Sequence, residues 1–526
     1  MNSLASSSVS RTSDSTTTLS PDGKTETQNP APQTLPRLPF SFANRFSLTL
    51  SWDPAGELAT LSHTDKTPLT AILEVQRLLY PLQQKLQLQR LDVETFGRLL
   101  SEDYQQSSQA NMQLMEQIGD EVDLFKLVQE LPENEDLLSA ADDAPIIKLI
   151  NALLAEAIKE GASDIHIEPY EKRLSVRLRV DGVMREVLSP NYKLAALLIS
   201  RIKVMAKLDI AEKRVPQDGR VSLKIAGRSL DVRVSTLPSN NGERVVMRLL
   251  DKQTAQLDLS HLGMQPETLA QFKKLLLQPN GIILVTGPTG SGKTTTLYAG
   301  LGMLNTRDRN ILTAEDPVEY TLDGIGQTQV NPKAGMTFAK SLRAMLRQDP
   351  DILMVGEIRD LETAEIAVQA SLTGHLVLST LHTNNAVGAI TRLQDIGVGS
   401  YLIASSVKGV LAQRLVRRLC SHCKQPHLLS SEEASLLGDA KLSGSSAFKA
   451  SGCSDCNHTG YRGRIGVYEL LVIDEALSEL IHSEASETEL YRYLRQHLGT
   501  LQHEARALIA QGVTSIAEVS RSIRSD

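Results

Sequence analysis

No run of eighteen apolar residues occurs in this chain, so no helix of bilayer-spanning length is expected. The opening residues, MNSLASSSVSRTSDSTTTLS, lack the apolar core of a secretory leader. The expected place of work is therefore the cytoplasm, with any membrane contact made through a partner. Excess basic charge is missing as well. The formal net charge is −7, which argues against a dedicated nucleic-acid binder while leaving room for local basic patches. Cysteine is scarce: four residues, in the two pairs CSHC and CSDC. In a reducing compartment that spacing points to a metal and away from disulfides. What is present is ordinary for a globular protein, with 41% hydrophobic and 22% charged residues. At 526 residues the chain exceeds one core, and about two to four domains are expected.

Residues 1–35 are rich in Ser, Thr and Pro without hydrophobic periodicity and read as a disordered tail. Apolar residues return from LPRLPFSFANRFSLTLSW, and TAILEVQRLLYPLQQKL and DVETFGRLLSEDYQQ look helical, so residues 36–110 form a small helical first domain. Residues 111–143 read as an acidic linker carrying a short helix. A second domain, 144–256, opens with the amphipathic PIIKLINALLAEAIKEG, closed by Gly161. Strands follow. In RLSVRLRVDGVMREV, Leu174, Val176, Leu178 and Val180 alternate with Arg173, Arg177 and Arg179, and Asp181-Gly182 is a hairpin turn. The device recurs with Leu230, Val232 and Val234 around Arg233, and with Arg244 and Arg248 sharing a face. A helix-backed antiparallel sheet showing arginines is expected. That face is either a salt-bridged surface or an anion reader. From about residue 257 to 526 the pattern becomes helix–strand–helix, an α/β architecture with a parallel sheet.

In NGIILVTGPTGSGKTTTLY the apolar strand Ile282–Val285 runs straight into the phosphate-loop pattern and then a helix. Gly287, Pro288, Thr289, Gly290, Ser291, Gly292, Lys293, Thr294 and Thr295 make this loop. Glycines let backbone N–H groups turn inward around phosphates, and the helix N-terminus adds positive potential. Lys293 would neutralise the β- and γ-phosphates of ATP, and the Thr294 hydroxyl would ligate Mg²⁺.

Two carboxylate clusters follow apolar strands. DPDILMVGEIRD delivers Glu357 after Ile352–Val355, where a Walker B acid belongs, though Gly356-Glu357 stands in place of a strand-end Asp. ILTAEDPVEY carries Glu315, Asp316 and Glu319. Together they offer groups for Mg²⁺ coordination and water activation, the alternative being a solvated turn. In TGHLVLSTLHTNNA, His382 falls at the carboxyl end of a strand and is the better γ-phosphate sensor, whereas His375 reads as structural. The helix in TFAKSLRAMLRQDP buries Phe338, Leu342, Met345 and Leu346, flanked by Arg343 and Arg347, which pair with acids or line a subunit interface.

Cys420-x2-Cys423 and Cys453-x2-Cys456 match a closed tetrahedral Cys₄ zinc site, structural because no position stays open for substrate. His422 and His458 are less favoured substitute ligands. Arg414, Arg417 and Arg418 lie nearby, but no aromatic residues interleave with them as nucleic-acid stacking requires.

These motifs, in this order, resemble the secretion ATPases of bacterial type II secretion and type IV pilus systems. The likeness spans about residues 145–520 and rests on GASDIHIEP, RLRVDG, PQDGR, RVSTLP, GERVVMRLL, GPTGSGKTTTLY, EDPVE, LRAMLRQDPDILMVGEIRD, TGHLVLSTLHTN, QRLVRRLC and GYRGRIGVYELL. LPFSFANRF looks like the type II secretion branch; the alternatives are a pilus assembly motor and, from another class, a DNA-translocating motor. The resemblance implies an α/β fold: a RecA-like P-loop ATPase domain with an inserted Cys₄ zinc module at 413–464, preceded by a PAS-like α+β domain and the small N-terminal domain. It implies a homo-hexamer using ATP, Mg²⁺ and Zn²⁺ to drive a pseudopilus, cytoplasmic and peripheral at the inner membrane. Its partners would be an inner-membrane platform protein and, through the first domain, the cytoplasmic domain of a membrane-anchored secretion protein, with no nucleic acid. By the same likeness Glu357 supports the metal, Glu315 positions or deprotonates water and His382 senses the γ-phosphate. Arg233 and Arg248 would complete a neighbouring subunit's site.

Overall fold

A computed structural model of the chain describes residues 38, 42–43, 46–53, 58–80, 85–93, 95–96, 98–100, 144–225, 228–251, 258–497 and 499–523. The tail at 1–35, the linker at 111–143 and the last part of the first domain's expected second helix lie outside the described residues. Two compact units separate by their contacts, residues 1–96 with 136–141 and the remainder.

The first unit differs from the helical domain expected. It holds a three-stranded sheet, β1 (Leu48–Trp52), β2 (Leu58–His63) and β3 (Lys85–Arg90), beside one long helix, α1 (Leu69–Leu79). β1 and β2 are antiparallel and β2 and β3 parallel. The expected helix ended at Leu86, yet from Lys85 on Leu86 and Leu88 alternate with polar residues, the period of a strand. α1 ends at Leu79 with Tyr80 as its cap, and the sequence places a proline next. Ala71, Val75 and Leu79 of α1 pack on Leu48, Leu50, Ala59 and Leu61 of the sheet.

In the second unit, α2 (Ala144–Lys159) and α3 (Leu194–Met205) cover one face of a six-stranded sheet. Its strands are β4 (Ala162–Pro169), β5 (Leu174–Val180), β6 (Val183–Leu188), β7 (Gln217–Ile225), β8 (Arg228–Ser239) and β9 (Gly242–Asp251), in the order β6-β5-β4-β9-β8-β7 and antiparallel throughout. Leu174, Val176, Leu178, Leu230, Val232 and Val234 all point into this core. Asp181 and Gly182 both take positive φ, 48° and 81°, as a two-residue hairpin turn demands.

The remaining domain is built on a seven-stranded sheet. β10 (Gly281–Thr286), β11 (Ile311–Glu315), β12 (Gly326–Gln329), β13 (Ile352–Val355), β14 (Leu376–Leu381), β15 (Val407–Leu419) and, after two strands that belong elsewhere, β18 (Tyr461–Val472) take the order β12-β11-β13-β14-β10-β15-β18. All pairs are parallel except β15 with β18. Every residue of β10, β13 and β14 is buried. Such runs, apolar apart from Thr286, Ser379 and Thr380, are what strands covered on both faces require. Alternate residues divide between two cores: Ile282, Leu284, Leu353, Val355 and Val377 on one side, Ile283, Val285, Ile352, Met354 and Leu378 on the other. The covering helices are α4 (Pro266–Leu276), α5 (Lys293–Leu304), α6 (Phe338–Met345), α7 (Leu361–Leu372), α8 (Ala386–Ile396) and α9 (Ser400–Ser406).

Between β15 and β18 sits a small module with its own hairpin, β16 (Gln425–Leu428) and β17 (Ser446–Lys449), and α10 (Ser431–Leu436). Residues 413–419 and 461–464, expected inside this module, are instead paired β15 and β18 residues of the main sheet. The insertion proper therefore runs from Cys420 to Gly460. Past β18 come α11 (Glu475–His482), α12 (Glu487–His497), α13 (Leu501–Ala510) and α14 (Ile516–Ser522). The last two share a core with the module through Leu429, Leu437, Ala447, Ala505, Leu508 and Val519.

Candidate active site and metal centre

Parallel register assembles the site. β11, β13, β14 and β10 are neighbours in the sheet and end at one edge. Val355 pairs with Ser379, and Thr286 with Leu381, so the segments carrying Glu357, His382 and the phosphate loop emerge side by side. The strand ends are stitched together: the Thr380 hydroxyl donates to the Gly356 carbonyl at 2.6 Å, and the Ile358 N–H to the Thr380 carbonyl at 3.1 Å. An edge of this kind, beyond the carboxyl ends of parallel strands, is where open α/β sheets hold ligands.

Within the loop, Gly287, Gly290 and Gly292 have φ of 148°, 80° and 89°. A Cβ at Gly287 would collide with the Gln413 carbonyl, so that position admits only glycine. Lys293 begins α5 and is buried, its ammonium donating to the Gly287 carbonyl at 2.8 Å and the Pro288 carbonyl at 3.1 Å. Burial pushes its pKa down to about 8, helped by Arg414 and opposed by Glu357. A lysine so poorly compensated has much to gain from a polyphosphate. The Ser291 hydroxyl is buried without a hydrogen-bond partner, whereas Thr294 is open to solvent. This cradle fits a magnesium–triphosphate: an orphaned hydroxyl, a buried cation and an accessible threonine at a helix N-terminus.

Glu357 is largely buried, forms an ion pair with Arg359 and lies 3.4 Å from His382 Nε2. His375 sits at the opposite end of β14, its Nδ1 2.9 Å from the Ala370 carbonyl. Glu315 is only 3% exposed. Tyr298 donates to its Oε2, and Thr313 and Gln327 donate to its Oε1 at 2.5 and 3.0 Å. The structure thus brings Lys293, Glu357 and His382 together and keeps Glu315 in a polar pocket behind the end of β11. On α6, Arg343 pairs with the exposed Glu362 at 2.7 Å.

Arginine-bearing residues of the α+β domain form a register. Arg179, Asp164, Arg248, Arg233 and Arg220 stand opposite one another across β5, β4, β9, β8 and β7, four arginines to one aspartate. Asp164, 6% exposed, pairs with Arg248 at 2.8 Å and Arg179 at 3.7 Å, and Glu168 is clamped between Arg177 and Arg244. The hydrogen bond that Arg248 donates to Asp164 raises the Arg248 pKa, yet 56% of that side chain remains exposed. Arg233 reaches the domain of the seven-stranded sheet in its own chain, bonding the Glu319 carboxylate at 2.9 Å and the Val318 carbonyl at 2.5 Å. Arg248 stays on the sheet.

The four cysteine sulfurs lie within 4.8 Å of one another, with pairs at 3.7 to 3.8 Å. A tetrahedron of thiolates about 2.3 Å from zinc has edges of about 3.8 Å, so the cluster fits that ion. N–H groups of Gly452, Cys453 and Gly460 point at the sulfurs of Cys423, Cys456 and Cys456, each at 3.2 Å. Burial opposes ionisation of Cys456, but these backbone donors prevail and pull its pKa to about 6. His422 turns away to Asp455, and His458 is not in the cluster. Of the nearby arginines, Arg417 is neutralised by Glu518 at 2.6 Å and lies over the Tyr461 ring, while Arg414 bonds the Asn384 carbonyl beside the phosphate loop.

Several contributors had no role assigned to them by the sequence. Asp164 and Glu168 share the arginines' face by two-residue spacing, a signal that was available. Tyr298 ends the motif GPTGSGKTTTLY and Gln327 lies in none, but neither announced its meeting with Glu315, which depends on sheet order.

Residues 139–521 match the family model described as type II/IV secretion system protein, and residues 37–104 match a second model, for a domain of GSPII protein E. The chain is 59% identical over 490 residues to the type II secretion system ATPase E of Vibrio cholerae, covering 93% of this chain and 97% of that one. It is 57% identical to the type II secretion system protein E of Pseudomonas aeruginosa, with the same coverage. Among solved structures the ATPase DotB of Legionella pneumophila shares the fold, with a TM-score of 0.54, 22% identity, and 71% of this chain and 95% of that one covered.

Proposed function

We propose a hexameric export motor for a chain that belongs to the type II/IV secretion system protein family and is one of its ATP hydrolases. It powers type II secretion by driving a pseudopilus. Convergence of the phosphate loop, Glu357 and His382 on one sheet edge is the observation that supports this reading. Thr294 and Glu357 would hold magnesium, which when bound would supply charge neutralisation and orientation of the triphosphate. Lys293 exchanges the carbonyls of its own loop for phosphate oxygens. His382, in contact with Glu357, senses the γ-phosphate, and Glu315 positions or deprotonates the attacking water. Arg233 and Arg248 complete a neighbour's site. Arg179 and Arg248 share the single carboxylate of Asp164, which favours an anion beside them, and Arg233 has to leave Glu319 to reach one.

The motor acts in the cytoplasm at the inner membrane, docked on a platform protein and, through residues 36–110, on the cytoplasmic domain of a membrane-anchored secretion protein. Among the described residues no helix is long and apolar enough to cross a membrane, in keeping with attachment through partners. The net charge of −7 and the pairing of Arg417 with Glu518 speak against nucleic acid as the cargo. Mixing Lys293→Ala chains with Arg233→Ala/Arg248→Ala chains tests the shared site. Mixed hexamers should regain turnover that neither parent has; no recovery at any ratio would contradict it.

A further inference from the structure

Glu315, to which the proposed function gives the attacking water, is held by Tyr298, which ends the phosphate-loop motif and has no role in phosphate binding, and by Gln327, which lies outside every motif of the site. Tyr298 lies on α5 five residues after Lys293 and is 2% exposed. Its hydroxyl oxygen accepts from the Glu319 N–H at 3.3 Å and from Gln327 Nε2 at 3.3 Å, so its single hydrogen is left for Glu315 Oε2. The amide of Gln327, on β12, is oriented by the Leu322 N–H, which donates to its Oε1 at 2.7 Å and turns Nε2 toward Glu315 Oε1. The Tyr298 ring meets Tyr320 edge-on, with centroids 4.6 Å apart, and cannot swing freely. Both carboxylate oxygens are therefore gripped by donors that are themselves fixed.

We infer that Tyr298, assisted by Gln327, is a positioning residue for ATP hydrolysis, setting the direction in which the Glu315 carboxylate addresses water. This rests on the reading of Glu315 given above. A glutamate has three rotatable bonds, and only a carboxylate already aimed escapes reorganisation when the phosphoryl group transfers. Tyr298 also ties that aim to the phosphate loop, because it rides on the helix that begins at Lys293.

Steady-state phosphate release separates positioning from mere packing. Tyr298→Phe keeps the ring and its burial but removes the hydroxyl. It should lower kcat about tenfold while KM for ATP stays within about twofold. In a Glu315→Asp background, whose shortened side chain no longer reaches the hydroxyl, Tyr298→Phe should change kcat less than about twofold. An unchanged kcat in the single variant, an equal drop in both backgrounds, or a rise in KM alone would overturn the inference. Should Tyr298→Phe fail to fold, Gln327→Leu on the sheet edge takes its place in the same cycle, with the same expected and overturning results. Wild-type turnover by Glu315→Gln would overturn the role of Glu315 itself, and is read separately from the cycle.

Discussion

Replacing Glu504 by glutamine should make the protein more stable, and increasingly so as the pH rises. Glu504 is buried on α13, one oxygen accepting the Thr268 hydroxyl at 3.3 Å and the other without a hydrogen-bond partner. Burial raises its pKa from 4.5 to about 7, against a small opposing effect of Thr268. Between those two values the folded chain keeps a proton that the unfolded chain has lost. Stability therefore falls as pH rises through this window, and the full penalty of about 3 kcal/mol is reached above pH 7. Glutamine occupies the same volume without the charge. Urea unfolding of both proteins side by side should show a small advantage for Glu504→Gln near pH 5. That advantage should grow by about 2 to 3 kcal/mol at pH 8. A difference independent of pH, or one that shrinks toward pH 8, would refute the reasoning.

The Cys₄ site should bind one zinc per chain, and Cys456→Ser should release it and lower the melting temperature of the C-terminal module; metal analysis beside a thermal melt checks both. Asp164→Asn removes the charge that Arg248 and Arg179 share. Because those arginines are partly exposed, the loss should be only about 1 to 3 kcal/mol, read from unfolding curves.

The buried strands were legible because their signal is local. Ile282–Val285 and Ile352–Val355 are apolar runs that lead into a glycine, and Leu376–Leu381 is a mostly apolar run broken by Ser379 and Thr380 and closed by His382. The arginine strands were legible for the same reason, since two-residue alternation fixes a face. β3 was not: KLQLQR follows a helical stretch, and its alternation is too short to stand out from that context. Contacts that depend on which strands lie side by side were beyond reach. Tyr298 and Gln327 are 29 residues apart, Arg233 and Val318 are 85 apart, and nothing in spacing announces either meeting. Likewise the grip of Asp164 and Glu168 on arginines from both flanking strands follows from the order β5-β4-β9, which repeating patterns do not encode.

Magnesium-dependent phosphate release by the purified chain, compared with Lys293→Ala, bears most directly on the claim that one phosphate loop and its facing carboxylate run this motor. The wild type should turn over ATP, and the variant, lacking the buried ammonium now tied to Gly287 and Pro288, should fall by about a hundredfold or more. Equal turnover by the two proteins would contradict it.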